Sequence, residues 1–449
     1  MFIDSINIMS IPDSIDYTSI LPMAVESRAR RRGFVPSNGA SFVSNQNNII
    51  EIPVSASAFL DTKHSFLRMN FLNTTGQTFG VDYGGGHGLI SRLRILQGGT
   101  VLSDCREYGR LMSSIILPCA ANQTNLTTRS IKEGQRFANS ATAGGAGVLA
   151  PAAGATDCTG ATDSTCAAAA GSNYVFSIPM MNGLLGTTQD KLIPLFLLNN
   201  APVVIEITLA ASLDIGVFGG GPGAYTIDNV RYMASLVETG PEVEDQIRMV
   251  QAQSGGRLVL NGVDYTHHPG IIPANVFGRV MLDIPVRKKS IKSVLFVGAA
   301  SNYAGGAAAQ SNRFNLSYGG HMSMSEYQLS VGSRRIPEVP IGFQAIATGS
   351  ADFKAQYFSE LAKCFVQSRV NNSNQSGSAA NMAVPSNGGA ALVSHVFCPY
   401  GIDCEAFQPD GKGGGALESG VDTATKSQPF ALNLDIGSPL ASPINVDMY

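Results

Sequence analysis

One stretch, His87 to Cys119 (HGLISRLRILQGGTVLSDCREYGRLMSSIILPC), changes its hydrophobic period midway, and the same change recurs half a chain later. An apolar-rich run, Leu89 to Leu96, meets Gly98-Gly99, and a second short run follows through Val101 and Leu102. Adjacent glycines between two such runs favour a tight β-turn, because glycine reaches positive φ at no steric cost. Tyr108, Leu111, Met112 and Ile115 then fall at i, i+3, i+4 and i+7, one face of a short helix that Asp104 is placed to cap. The order is strand, turn, strand, helix. In the later copy, Glu326 to Val331 is turned by Gly332-Ser333 into Arg335 to Ile341. Ser350 to Phe365 follows, with Phe353, Tyr357, Phe358, Leu361 and Phe365 on one helical stripe and Ser350 as its cap. The pattern repeats while the residues do not, so two domains of one design are expected.

A chain of 449 residues exceeds one ordinary core and suits two domains of roughly 200 residues each. Charged residues make up 14% of it, well under the usual ~25%, so much of its surface is expected to face other protein. A net charge of −3 argues against a wholesale nucleic-acid binder. No apolar run approaches the ~18 residues of a membrane span, and MFIDSINIMSIPDS lacks the basic-then-apolar order of a signal peptide. These readings point to a protein made and kept inside a cell until assembly. The seven cysteines (105, 119, 158, 166, 364, 398, 404) contain no CxxC pair and hence no zinc pattern. Cys158 and Cys166 lie close enough in one polar loop to bridge, but an odd total favours free thiols. The N-x-S/T sequons at Asn73, Asn122, Asn125, Asn315, Asn371 and Asn374 read as chance in an Asn/Ser/Thr-rich chain.

Residues 1–47 show little periodicity and are expected to form an N-terminal arm. Arg28, Arg30, Arg31 and Arg32 make its dense basic cluster, read as a solvated face, with a grip on an acidic partner, a neighbouring subunit or nucleic acid as the sharper alternative. From residue 48 to 240 strands are expected at Ile50–Ala56, Ser65–Leu72, Tyr174–Ile178, Leu192–Leu198, Pro202–Ala210 and Tyr225–Val237, besides the hairpin at its centre. Thr239-Gly240-Pro241-Glu242 reads as a capping box opening a linker helix over 241–256, with Val243, Ile247 and Val250 as its stripe and Glu244–Arg248 as an i,i+4 pair. Residues 257–449 repeat the β texture, with strands expected at Arg257–Leu260, Val276–Val286, Ser293–Val297, Arg313–Ser317, Ala391–Phe397 and Phe430–Ile436 around the second hairpin. Many short strands with few helices indicate all-β sandwiches. Residues 139–172 and 371–389, nearly free of large side chains, read as long surface loops.

Candidate chemistry fails on spacing. Gly84-Gly85-Gly86-His87-Gly88 lacks the lysine of a phosphate loop, and Gly219–Gly223 carries a proline where a cradle would need an amide. His267 and His268 are adjacent, so on a strand they face opposite sides and do not share a metal easily. There is no HExxH and no G-x-S-x-G elbow. The sequence offers no catalytic, cofactor-binding or metal site, and no enzyme is expected.

Four segments carry a resemblance: NNIIEIPVSASAFLDTKHSFLRMNF (47–71), HGLISRLRILQGGTVLSDCREY (87–108), NVRYMASLVETGPEVEDQI (229–247) and FALNLDIGSPLASPINVDMY (430–449). With two β-rich halves, a helix between them and one helix after a hairpin in each, the chain resembles the double jelly-roll major capsid proteins of icosahedral tailless DNA viruses. Within that family it looks most like the branch of algal viruses, virophages and polinton-like viruses. The resemblance spans most of the chain but rests on pattern and spacing, and transfers no functional residue. It implies two consecutive eight-stranded jelly rolls with a few short helices. It further implies a homotrimeric pseudo-hexagonal capsomer, and a virion protein without small-molecule substrate or cofactor. The implied partners are further copies of the chain, minor capsid and penton proteins, and an internal membrane or genome layer met by the arginine-bearing arm. A carbohydrate-binding or adhesin-like β-sandwich is the alternative, though such a protein usually carries surface aromatics and this one has no Trp. At the far end, Ile444, Val446 and Met448 alternate as the start of a closing strand and then stop. The second sandwich is therefore expected to have a shortened or incomplete edge, covered by a neighbouring chain or completed by further sequence.

Overall fold

The computed structural model describes residues 27–74, 79–81, 84–120, 132–134, 173–186, 191–198, 200–212, 215–218, 224–256, 258, 260, 262–300, 316, 322, 324–342, 352–367, 399–405, 420–424, 429–440 and 443–449. The first half builds two facing sheets. Its strands are β1 (Ser27–Phe34), β2 (Ser41–Val43), β3 (Ile49–Val54), β4 (Phe59–Leu72), β5 (Phe79–Val81), β6 (Ile90–Gln97), β7 (Thr100–Arg106), β8 (Asn173–Ile178), β9 (Ile193–Pro194), β10 (Val203–Leu209), β11 (Gly216–Phe218) and β12 (Thr226–Thr239). One sheet runs β1-β12-β4-β8 and the other β3-β10-β6-β7, all antiparallel; β2, β5, β9 and β11 are short additions. Leaving those aside and ranking the strands one to eight, the sheets read 1-8-3-6 and 2-7-4-5, the order of a jelly roll. Alternation sets the inward faces: Val203, Ile205, Ile207 and Leu209 of β10 are buried, as are Ile50, Ile52 and Val54 of β3.

The second half repeats the order, with no additional strand among the described residues. Its strands are β13 (His268–Ile272), β14 (Gly278–Asp283), β15 (Ser293–Ala300), β16 (Met324–Val331), β17 (Arg334–Gly342), β18 (Tyr400–Asp403), β19 (Phe430–Ile436) and β20 (Ile444–Met448). They pair as β13-β20-β15-β18 and β14-β19-β16-β17, again 1-8-3-6 and 2-7-4-5. The core of this half is aromatic. Phe296, Tyr327, Tyr357 and Tyr400 are fully buried, with the Phe296 and Tyr400 rings stacked at 5.0 Å and Tyr327 edge-on to both.

The repeated strand-turn-strand-helix unit occupies ranks four and five plus the following helix in both halves. Gly98 and Gly99 turn β6 into β7 with φ of +54° and +85°, so that Gln97 pairs Thr100. In the first half the helix has three consecutive pieces: α1 (Tyr108–Leu111), a π-helical stretch (Met112–Ile116) and α2 (Leu117–Ala120). Tyr108, Leu111, Met112 and Ile115 are all buried, as the spacing predicts. The helix lies so close on β6 that a Cβ at Gly109 would meet the Ile90 carbonyl oxygen at 2.9 Å. Asp104 does not cap it. Asp104 belongs to β7, where Arg92 grips both carboxylate oxygens at 2.7 Å, and Glu107 takes the N-cap position with φ of 51°. The linker helix is α3 (Pro241–Gln253), and the later unit ends in α4 (Asp352–Gln367), which buries Tyr357, Leu361 and Cys364; Ser350 lies outside the described residues.

Several expectations need correction. The arm proposed over 1–47 is sheet from Ser27 onward, because β1 pairs β12 residue by residue from Ser27–Thr239 to Phe34–Tyr232. Its period was illegible because every residue but Phe34 is exposed, the pattern of an edge strand guarded by charge. Leu192–Leu198 is mostly a 3-10 turn, with two residues in β9. Leu258 and Leu260 lie outside any strand; β13, which opens the second sandwich, falls instead on His268-Pro269-Gly270-Ile271-Ile272. Gly240, not Thr239, caps α3, with no side-chain hydrogen bond, while Pro241 follows at the first helical position as expected. The closing strand falls where expected, at Ile444–Met448, but among the described residues its edge is not left incomplete: β20 pairs both β13 and β15, and Tyr449 exchanges backbone hydrogen bonds with Leu295 at 2.8 and 3.0 Å. The strand is short because its neighbour β13 is equally short, so five residues suffice to close the sheet. The expected strands Arg313–Ser317 and Ala391–Phe397, the loops 139–172 and 371–389, and Cys158, Cys166 and Cys398 lie wholly or almost wholly outside the described residues.

Candidate functional site

The two sandwiches meet along a polar seam whose residues come from both halves. Ser103, buried on β7, accepts a hydrogen bond from the Asn182 amide at 2.5 Å and donates one to Asp264 at 2.5 Å. Asn182 is itself fully buried and accepts from the Tyr265 amide at 3.0 Å, while the Gly183 amide donates to the Val263 carbonyl at 2.9 Å. Lys288 reaches Asp264 at 3.3 Å. This end of the seam is a chain of satisfied polar groups, which fixes orientation because each partner left alone would be costly to bury.

The other end is ionic. Arg110, 5% exposed, leaves the first-half helix and donates to the Leu316 carbonyl at 2.7 Å and to Asp447 of β20 at 3.3 Å. The second oxygen of Asp447 meets His267 Nε2 at 2.9 Å. Burial works against the Asp447 carboxylate, but the His267 hydrogen bond and the Arg110 charge outweigh it and hold the group below the usual carboxylate range. The Tyr449 ring lies against His267 at 5.1 Å, and its hydroxyl donates to the Glu107 carbonyl at 3.0 Å. The closing strand of the second sandwich thus also locks it to the first.

Outside the seam, the surface is unevenly apolar. Ile271, Phe277 and Met281 are 64%, 68% and 62% exposed, on or beside β13 and β14, the edge strands of the two second-half sheets. The equivalent edge of the first half, β1 beside β3, is instead basic. Arg30 pairs Glu238 at 2.6 Å, Arg31 lies over Phe66 at 5.4 Å and Arg32 over Phe34 at 5.0 Å. All four arginines therefore sit on a sheet edge and not on a tail.

The described residues hold no group of three His, Cys, Asp or Glu side chains arranged for a metal. The glycine run at 84–88 forms a buried 3-10 turn against Phe176 and Ser113, with no cradle open to a phosphate. His267 meets Asp447, and His268, the next residue, opens β13. Cys105, Cys119, Cys364 and Cys404 are free and buried; burial raises every thiol, Cys404 up to about 12, so none is a poised nucleophile. No described helix is long and apolar enough to cross a membrane. Sequence reading missed the seam, yet one signal was there: Arg110 is a lone charge inside an otherwise apolar helical stretch.

No protein-family model matches the sequence, and no curated protein matches it. Solved structures do. The Faustovirus major capsid protein aligns over 96% of this chain and 91% of its own length, at 9% identity and a TM-score of 0.50. A chain in the cryo-EM structure of the Sputnik virophage aligns over 100% of this chain and 90% of its own length, at 9% identity and a TM-score of 0.50. Such identities speak for the fold alone. Two complete 1-8-3-6 and 2-7-4-5 sandwiches in sequence, matched end to end by these structures, give this chain the double jelly-roll fold that it shares with the Faustovirus major capsid protein.

Proposed function

We propose that the chain is a major capsid protein, a structural subunit that trimerises into pseudo-hexagonal capsomers and tiles an icosahedral shell. The observation that carries this reading is two complete jelly rolls in sequence, fixed to each other by a buried polar seam and matched over nearly the whole chain by the Faustovirus major capsid protein. Buried hydrogen bonds and the Arg110–Asp447–His267 cluster fix the two jelly rolls to each other, while Ile271, Phe277 and Met281 stay uncovered. These exposed side chains on the edge strands are where a neighbouring copy is proposed to dock. The two sandwiches, taken as 27–240 and 257–449 with α3 between them, would present six similar bodies in a trimer. The second-half edge of one copy would then face a different surface of the next, a heterologous contact that closes into a ring. The working partners are copies of this chain, with minor capsid and penton proteins at the shell's boundaries, and the location is the virion.

Native mass measurement tests the proposal: a dominant trimer of about three times the 47.1 kDa chain is expected at micromolar concentration. The double variant Phe277→Asp, Met281→Asp should shift the population to folded monomer, because apolar side chains at an interface core contribute most of its affinity. A wild-type monomer or dimer would sink the reading.

A further inference from the structure

The interior of the second sandwich is not completely filled. A cavity of about 190 Å³ lies at the end of that sandwich nearest the seam, bordered there by Asp264 and Thr266. Ile284 and Phe430 line it from the β14-β19 side, Val294 and Leu295 of β15 and Met448 of β20 from the other sheet, and all five are buried. Protein interiors pack so densely that few voids exceed a water molecule, which makes a space of this size a departure. An apolar cavity of about 150 Å³ is already enough to hold benzene.

Two polar groups belonging to its wall are unspent. His268 Nε2 and Ser290 Oγ are buried with no hydrogen-bond partner among the described residues, although a buried polar group without one is costly. Neither is tied to a neighbour, so a turn about χ1 or χ2 can bring it to a guest. The charges of the wall, by contrast, are matched. Lys288 Nζ meets Asp264 and Lys292 Nζ meets Glu405, each at 3.3 Å. Burial, with the charges of His267 and Lys288 after it, lowers the pKa of His268, so its ring is neutral near neutral pH. No charge in the wall is left over to hold an ion. A neutral ring nitrogen donates or accepts according to its tautomer, and a hydroxyl does both, so a guest hydroxyl suits His268 and Ser290 alike.

We propose that this cavity binds a small neutral molecule of the class of phenols and short branched alcohols. Its apolar body would fill the space between the sheets, and its one hydroxyl would be held by His268 and Ser290. The proposal does not depend on the capsid reading, since it concerns one folded chain and not its assembly.

Phenol and toluene, nearly equal in size, are the probes, read on the full chain by NMR of its methionine and isoleucine methyl groups. Phenol should move the Met448 and Ile284 signals to a saturating limit. It should also raise the thermal midpoint as its concentration rises, since binding to the folded state alone stabilises that state. Ser290→Ala should weaken phenol binding by roughly three- to tenfold, the worth of one hydrogen bond, and leave any toluene binding unchanged. Val286→Phe, made at a half-buried position of the wall, should fill the space and abolish the binding of both. Should Val286→Phe fail to fold, Ser290→Ala still decides. Phenol shifts that never saturate, that Ser290→Ala leaves unchanged, or that persist in a folded Val286→Phe variant would overturn the proposal. So would toluene binding as tightly as phenol, which would make the cavity purely apolar. No response to either probe would leave the space to water and also overturn it.

Discussion

At the scale of single residues, Asp447 decides most. Among the described residues it is the carboxylate that joins the two halves, meeting Arg110 of the first and His267 of the second, and removing it takes the counter-charge from the buried Arg110. Asp447→Asn should lower stability by about 3 kcal/mol, because leaving a buried charge uncompensated costs roughly 3–5 kcal/mol. Adding Arg110→Met should recover part of that loss, a non-additivity that thermal unfolding of the single and double variants measures. The pH dependence follows from the direction of the shift. The folded value lies below the unfolded one, so the contribution is complete above about pH 4 and disappears as the pH falls through the folded value. Unfolding followed by acid titration should show this increment in the wild type and not in Asp447→Asn. Gly109 is the second decisive residue. Gly109→Ala would drive a Cβ against backbone oxygens at 2.9 and 3.2 Å, which neither β6 nor the 3-10 turn yields easily. A destabilisation of about 2 kcal/mol is expected, within the usual range for overpacking, and denaturant unfolding reads it.

At the scale of elements, legibility in sequence tracks how one-sided an element's burial is. The period switch around Gly98-Gly99 was readable because β6 buries Ile90, Leu93 and Ile95 while the helix buries Tyr108, Leu111, Met112 and Ile115, two periods with a glycine pair between the strands. Strand β1 was unreadable because its register is set by pairing with β12 and only Phe34 of its side chains is buried. Strand β13 was missed because His268, Pro269 and Gly270 are poor strand formers, tolerated on a sheet edge where one side of the backbone needs no partner. The seam was hidden for another reason: Ser103, Asn182 and Asp264 are ordinary polar residues until the fold brings them together. The β1 edge yields a prediction. Replacing Arg30 and Arg32 with Val would turn a charged edge into a β-prone one, and light scattering should report faster aggregation at unchanged helix and strand content.

At the scale of the molecule, the design is one jelly roll used twice with different edges: the first carries the four arginines of β1, the second the exposed Ile271 and Met281 of β13 and β14. Two identical edges would favour a two-fold contact between like surfaces, whereas unlike edges suit rings in which each copy meets its neighbour head to tail. Residues 139–172 and 371–389, expected from their composition to be surface loops, fall at the same point of the chain order in both halves, between the helix and the sixth-ranked strand. In assembled particles, limited proteolysis is expected to cut both loops before any strand, since low-complexity segments with few large side chains gain little from packing. Protection of either loop in particles would place it in an interface instead.

Strand β20 sits in the middle of its sheet, although it follows its partner β13 by roughly 170 residues. During synthesis at about 5–20 residues per second, β13 leaves the ribosome on the order of ten to thirty seconds before the strand it must pair with. For that interval the second half has no way to close, and Arg110, 337 positions away from Asp447, waits still longer for its counterion. The nascent chain therefore carries a finished first sandwich and an open, aromatic-rich second one. That stage is when a chaperone holding exposed strands would do most for its yield.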